Sequence, residues 1–258
     1  MQHLNCKVVL ITGGGSGMGR EAAIMCAQAG ATVALLDINQ TGMDEIVALE
    51  GDIHAYPTDI TDYEAVTATV HAVEYGLGPI YRLYNAAGIM PLGRVLTQDN
   101  AVAKKIMDIN YGGLLNIAQA ALPGMVSRGE GEFISFASMA GIIPTLLTGT
   151  YAASKAAVAF LTETLYHENI SSGVKFVCVC PPTVDTPLLQ QGRDTEWPKM
   201  LDVSEAPIAP SDVIKAIDLN LAENKFWVYV GKGAFMGPLV RRVAPGVIWK
   251  QCHKVEGF

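Results

Sequence analysis

The chain predicts an α/β fold, a single doubly wound domain whose central, mostly parallel seven-stranded sheet is flanked by helices. Three observations carry that expectation. Short aliphatic and β-branched runs alternate with helical patterns along the chain, with no long linker and no internal repeat. The first run, Lys7-Val8-Val9-Leu10-Ile11, passes directly into Thr12-Gly13-Gly14-Gly15-Ser16-Gly17-Met18-Gly19 and then into a helical pattern, which reads as strand, tight turn and helix start. The length of 258 residues, 50% of them hydrophobic, suffices to bury one large core without a second domain.

Taken in order, strands are expected near residues 7–12, 32–37, 53–56, 80–85, 132–138, 174–180 and 226–230. Helices are expected near 17–30, 62–75, 99–127, 150–170 and 211–223, the last with Ser211-Asp212 as its N-cap. Between them, Pro181-Pro182 and the Glu205–Pro210 stretch bracket an irregular segment, residues 183–210. It emerges beyond the carboxyl end of a strand, where open α/β sheets bind ligands, so substrate specificity is assigned to it. Residues 1–231 are read as the dinucleotide-binding and catalytic domain, and 232–258 as a C-terminal tail.

The glycine turn announces a dinucleotide. Glycines let backbone approach a pyrophosphate closely, and the amides at the start of the following helix favour its charge. The next strand, Ala31-Thr32-Val33-Ala34-Leu35-Leu36, ends in Asp37, where a carboxylate should meet the ribose 2′-hydroxyl and repel a 2′-phosphate. Neither Ser16 nor Ile38 supplies the cation a 2′-phosphate would need, so NAD is expected rather than NADP.

Hydride chemistry is suggested downstream. Ser138 ends the apolar run Phe133-Ile134-Ser135-Phe136-Ala137-Ser138, and Tyr151 and Lys155 open a helical pattern four residues apart, on one face. Moving a hydride between an alcohol carbon and a nicotinamide requires the hydroxyl proton to move as well, and a free tyrosine is a poor base near neutrality. A neighbouring Lys155 ammonium would favour the phenolate, while Ser138 would hold the substrate oxygen against Tyr151.

In this order the motifs resemble those of the short-chain dehydrogenases/reductases, a Rossmann-type family, from about Lys7 to Gly231. The family's turn Thr-Gly-x-x-x-Gly-x-Gly is matched by Thr12, Gly13, Gly17 and Gly19, with Ser16 and Met18 inside it. The resemblance implies that Asp59 contacts adenine, with Ile60 beside it, and that Asn85-Ala86-Ala87-Gly88 stabilises the sheet and lines the nicotinamide side. It implies that Asn110 completes a catalytic tetrad with Ser138, Tyr151 and Lys155, and that Tyr151 is the acid/base. Lys155 would also bind the nicotinamide ribose, and Pro181, Val184 and Thr186 would hold the nicotinamide amide. One departure stands out: the family usually has Pro-Gly where this chain has Pro181-Pro182. Members commonly pair helices into dimers and tetramers, so a homodimer or homotetramer is implied, and the apolar stretch Ala156-Ala157-Val158-Ala159-Phe160-Leu161 agrees with burial on two sides.

Composition narrows the partners. A net charge of −7 disfavours a nucleic-acid surface. Five cysteines without scaffold spacing fit a reducing compartment, five scattered histidines suggest no metal, and no leader or membrane-spanning run is evident, so a cytoplasmic protein is expected. Ile142, Ile143, Leu146, Leu188, Leu189, Trp197 and Met200 lie around the proposed chemistry and point to a bulky apolar secondary alcohol or ketone. The leading expectation is NAD-dependent alcohol oxidation. Carbonyl reduction is the alternative, and a non-catalytic dinucleotide sensor is the alternative of another class. The tail carries Lys232, Arg241, Arg242, Lys250 and Lys254 among Phe235, Leu239, Val240, Ile248 and Trp249. Packing on its own domain or on a neighbouring subunit is expected ahead of membrane-surface contact, because Pro238, Pro245 and the glycines interrupt a single long amphipathic helix.

Overall fold

The central strand runs are apolar on both sides because both faces of the sheet are covered there. The computed structural model describes residues 1–49, 51–203, 206–231 and 236–257. Its strands are β1 (Val8–Thr12), β2 (Thr32–Asp37), β3 (Asp52–Pro57), β4 (Ile80–Asn85), β5 (Gly131–Phe136), β6 (Val174–Cys180) and β7 (Trp227–Tyr229). They form one sheet in the order β3-β2-β1-β4-β5-β6-β7, and every pair is parallel. Side chains alternate between two cores as the strand period of two requires. Val8 and Leu10 enter one and Val9 and Ile11 the other, and β6 divides Phe176, Cys178 and Cys180 from Val177 and Val179.

Helix α1 (Gly17–Gln28), α2 (Gln40–Val47) and, later, α10 (Pro210–Ala222) cover the second core; α3 (Tyr63–Gly76), α5 (Gly113–Arg128) and α7 (Gly149–Glu168) cover the first. The order of strands reverses between β1 and β4, which opens a crevice at their carboxyl ends.

Several elements differ from expectation. The helix expected over 99–127 is divided into α4 (Asn100–Met107) and α5 by a π-helical turn, Asp108–Gly112, which holds the buried Asn110. Its signal is Gly112-Gly113 inside an apolar helical run: a Cβ on Gly113 would lie 2.8 Å from the Ile60 side chain. Helix α2 was not expected; the Asn39 side chain caps it by accepting from Gly42 N, and Met43 and Ile46 bury its inner face. The segment expected to be irregular contains α8 (Pro187–Arg193) and α9 (Lys199–Asp202), and a short α6 (Met139–Ile142) follows Ser138. Helix α10 starts at Pro210, preceded by Ala209, rather than from a Ser211-Asp212 cap, since proline is preorganised for a first helical turn.

The tail forms α11 (Met236–Val243) and α12 (Pro245–Glu256), broken at Ala244-Pro245. It folds on its own chain: α11 packs on α6, α12 packs on α9, and Glu256 Oε1 accepts from Met200 N at 2.8 Å. Glu205, Lys232 and Phe235 lie outside the described residues.

Near the amino ends of the central strands, a fully buried Arg82 on β4 pairs with buried Glu132 on β5. It also donates to the Tyr84 hydroxyl at 2.9 Å and to Asp218 on α10 at 2.8 Å. Burial works against this guanidinium, but Tyr84, Glu132 and Asp218 outweigh it and hold its pKa above the ordinary value. The cluster ties two central strands to a covering helix, at the end of the sheet opposite the crevice.

Candidate active site

The glycine turn is as tight as its sequence suggests. Gly13 has φ +65°, and a Cβ there would lie 2.7 Å from Ala87 Cα; a Cβ on Gly19 would strike the Gly13 carbonyl oxygen. Side chains are thus excluded where β1 turns into α1, and the N-terminus of α1 faces the crevice with its unpaired amides. Asp37, at the end of β2, is fixed beside the turn because its carboxylate accepts from Gly15 N and Asn39 N, each at 2.9 Å. Thr12 Oγ1 donates to Asn85 Oδ1 at 2.9 Å and accepts from Ala87 N at 3.2 Å, sewing together the carboxyl ends of β1 and β4.

This crevice has one lobe of about 190 Å³, bounded by Gly13, Ser16, Gly17, Asp37, Asp59 and Ile60. Asp59 is exposed there, its Oδ1 accepting from the Thr61 amide and hydroxyl. The lobe suits an extended nucleotide: close backbone at one end, a carboxylate beside it, and apolar Ile38 and Ile60 as flat walls. Thr58 and Ile89 also line it without having been singled out in the sequence. Met18, Ala86, Gly88, Thr186 and Leu188 border both this lobe and a second, making the two continuous.

The second lobe, about 250 Å³, holds Ser138, Tyr151 and Lys155. Ser138 follows β5 and caps α6, its Oγ accepting from Ala140 N at 3.1 Å, and it lines this lobe together with Tyr151. Tyr151 and Lys155, one helical turn apart on α7, are both buried. The Lys155 ammonium donates to the Phe136 carbonyl at 2.7 Å and lies 6.0 Å from the Tyr151 ring centroid. Pro181, Pro182 and Val184 form part of the same wall, with Pro181 O accepting from Met139 N.

Asn110 and Asn85 stand one layer behind this surface and line neither lobe. The Asn110 amide donates to Ile89 O at 3.0 Å and to Ser154 Oγ at 2.9 Å, while its Oδ1 accepts from Ile89 N at 2.9 Å. A Cβ on Gly88 would sit 3.1 Å from Asn110 Oδ1 and 3.5 Å from Lys155 Nζ, so a larger residue there would press on the asparagine that braces the site. Ser154, inside the Tyr-x-x-x-Lys motif, is the partner that the sequence left unassigned.

Burial pushes the Tyr151 phenol up to about 12, the neighbouring Ser138 hydroxyl acting the other way. Burial pushes the Lys155 ammonium down to about 8 from an ordinary 10.5, with the Cys178 and Cys180 thiols acting the other way. The sign of the stability effect follows. In the unfolded chain the amine keeps its proton to about pH 10.5, so between about 8 and 10.5 the unfolded state binds more protons and stability rises with pH. Below about 8 the penalty for burying the charge is present in full. Urea denaturation of wild type and Lys155→Met should therefore show the wild type gaining about 2 kcal/mol relative to the variant as pH is raised from about 8 to 10. A pH-independent gap would contradict it.

Apart from Lys155, every described side chain lining the second lobe is uncharged, and most are apolar, including Met90, Leu92, Leu189, Trp197 and Leu201. Met90 and Leu92 come from the loop after β4, outside the segment to which specificity was assigned. That loop is laced to α8 and the turn after it: Met90 N donates to Gln191 Oε1 at 2.6 Å and Leu92 N to Thr195 Oγ1 at 2.9 Å.

A parallel doubly wound sheet with a two-lobed cleft at its switch point, one lobe shaped for a nucleotide and the other bearing a phenol, a hydroxyl and an amine, defines a nucleotide-dependent α/β enzyme class. Residues 7–197 match the family model for short chain dehydrogenases. The chain belongs to that family of nicotinamide-dependent oxidoreductases, which act on alcohols and ketones. It is 35% identical over 190 residues to 2-keto-3-deoxy-L-fuconate dehydrogenase of Xanthomonas campestris pv. campestris, which covers 73% of this chain but only 62% of that relative. It is 29% identical over 267 residues to epidermal retinol dehydrogenase 2 of Mus musculus, covering 98% of this chain and 85% of the relative. Among solved structures, a short chain dehydrogenase/reductase from Burkholderia phymatum in complex with NAD superposes with a TM-score of 0.84 at 25% identity, covering 96% of each chain. Among the described residues, no helix is long and apolar enough to cross a membrane.

Proposed function

We propose that this chain is an NAD-dependent dehydrogenase that oxidises a neutral, bulky, apolar secondary alcohol to its ketone, with Tyr151 as acid/base. The observation that carries the reading is the apolar lobe in which Ser138 and the buried Tyr151 and Lys155 lie together beside the nucleotide-shaped lobe. Gly13, Ser16, Gly17, Met18 and Gly19 would carry the pyrophosphate, Asp37 the adenosine ribose, and Asp59 and Ile60 the adenine. Ala86, Gly88, Pro181, Val184 and Thr186 would hold the nicotinamide end, with Asn85 bracing the sheet beneath it. When bound there, the dinucleotide supplies the hydride acceptor.

The chain's own groups handle the proton. The substrate hydroxyl would sit between Ser138 Oγ and the Tyr151 phenol, which orients the carbon and gives its proton a receiver. Burial opposes the phenolate, and Lys155 is the cation placed to counter it and to hold the nicotinamide ribose. Asn110 keeps Ser154 and the Ile89 backbone in place behind the lysine. An anionic substrate would find no arginine and no second lysine among the described lining residues, which supports a neutral alcohol. The name of the mouse retinol dehydrogenase, an enzyme of an apolar alcohol, agrees with that. Phe160, 74% exposed on α7, supports a homo-oligomer, and five free thiols support a cytoplasmic setting.

The test is a graded series of secondary alcohols with NAD. The kcat/KM should rise from small to bulky neutral alcohols, and a flat or falling series, or preference for a carboxylate-bearing analogue, would overturn the reading. Asp37→Asn tests the cofactor separately. It keeps an acceptor for the backbone amides but removes the charge facing a 2′-phosphate, so calorimetry should show NADP affinity rising about tenfold or more with NAD affinity little changed. Unchanged NADP affinity would remove Asp37 as the selector.

A further inference from the structure

Helix α11 is amphipathic the wrong way round. Met236, Leu239 and Val243, spaced i, i+3 and i+7, share one helical stripe, and that stripe faces solvent with exposures of 50%, 52% and 69%. The opposite side faces the protein: Gly237 is packed so closely on Ile143 and Met139 that a Cβ there would strike Ile143. Val247, 62% exposed at the start of α12, extends the apolar surface past the break at Ala244-Pro245. A soluble helix normally turns such a stripe inward, and among the described residues nothing covers this one.

The charge around the stripe says what covers it. Residues 236–257 carry Arg241, Arg242, Lys250 and Lys254 against the single acid Glu256, in a chain whose net charge is −7. Arg242, Lys250 and Lys254 are exposed. Exposed apolar side chains and exposed cations on the same two helices, in an otherwise acidic molecule, complement an anionic lipid surface, where the stripe enters the acyl boundary and the cations meet the headgroups. A second copy meeting the stripe about a two-fold axis would set the same cations against each other, which disfavours that occupant. We propose that α11 and the first turn of α12 are a peripheral docking surface for an anionic bilayer. The consequence is positional. Gly237 rests on Met139 and Ile143, and Glu256 holds the Met200 amide, and all three partners line the substrate lobe. Docking through this surface therefore brings the lobe's outer wall to the bilayer, from which an apolar alcohol partitions. The surface itself does not depend on the enzymatic reading.

Sedimentation of the full chain with vesicles tests it. Wild type should pellet with phosphatidylcholine vesicles containing phosphatidylserine and at least about tenfold less with phosphatidylcholine alone, and the binding should weaken as salt is raised. The double variant Leu239→Ser/Val243→Ser should bind at least about tenfold more weakly by loss of inserted apolar surface. Arg242→Glu/Lys254→Glu should lose about fivefold or more for each cation removed. Both pairs are exposed, so circular dichroism and turnover of a water-soluble alcohol should stay at wild-type levels. Equal binding to both vesicle types, or no binding to either, overturns the proposal. So does a wild-type dimer, seen by sedimentation velocity without lipid, that the Leu239→Ser/Val243→Ser variant dissociates, because a second copy would then cover the stripe.

Discussion

Replacing Tyr151 with phenylalanine should cut turnover of secondary alcohols by about 10²–10⁴-fold, the range that positioned acid–base catalysis contributes, while NAD binding changes little. The substitution is nearly isosteric. The ring remains packed with Met90, Leu92 and Leu189, and Ser138 keeps its bond from Ala140 N, so the loss is confined to the phenolic hydroxyl. Steady-state kinetics with calorimetric titration of NAD separates the two effects. Turnover surviving at the wild-type level would remove Tyr151 from the proton path, and lost NAD binding would show that the ring acts through the cofactor lobe instead.

Arg82→Met should destabilise the folded chain by about 3–5 kcal/mol, because it leaves Glu132 buried without its countercharge and takes a donor from Tyr84 and Asp218. The double variant Arg82→Met/Glu132→Leu should recover much of that loss, since replacing both members of a buried ion pair with apolar groups is often neutral. Urea denaturation of the three proteins measures this directly. The cluster stands at the opposite end of the sheet from the cleft, so kcat of the folded fraction should not move. An unchanged unfolding midpoint for Arg82→Met would mean that water or a rearranged neighbour satisfies Glu132.

The parts of this molecule that the sequence exposes are those where local chemistry and tertiary role coincide. The central strands are legible because two-sided burial makes each a nearly unbroken apolar run, and the glycine turn because Gly13 and Gly19 sit where a Cβ would collide with backbone. Tyr151 and Lys155 are legible as a pair because four residues of helix return to one face. Asn110 is readable only through the family resemblance, since its π-helical turn rests on contacts with Ile89 and Ser154 that are 21 and 44 residues away in the chain. The substrate lobe is half legible. Leu188, Leu189 and Trp197 fall in the segment beyond β6, but Met90 and Leu92 reach the lobe from the loop after β4, held there by Gln191 and Thr195 about a hundred residues later. Arg82 lies inside a readable strand, but its burial is hidden because its charged partners lie on a neighbouring strand and a distant helix. The outward stripe of α11 is likewise hidden, because periodicity shows that a face is apolar and not which way it points.

Every role assigned to the cleft turns on hydride transfer from a bulky neutral secondary alcohol to NAD. Initial rates of reduced-cofactor formation by the purified chain, with NAD and separately with NADP over secondary alcohols of increasing bulk, test it most directly. The expected result is NADH formation whose kcat/KM climbs with apolar bulk and a far slower reaction with NADP. Faster reaction with NADP, or NAD binding with no reduction by any alcohol in the series, would contradict it.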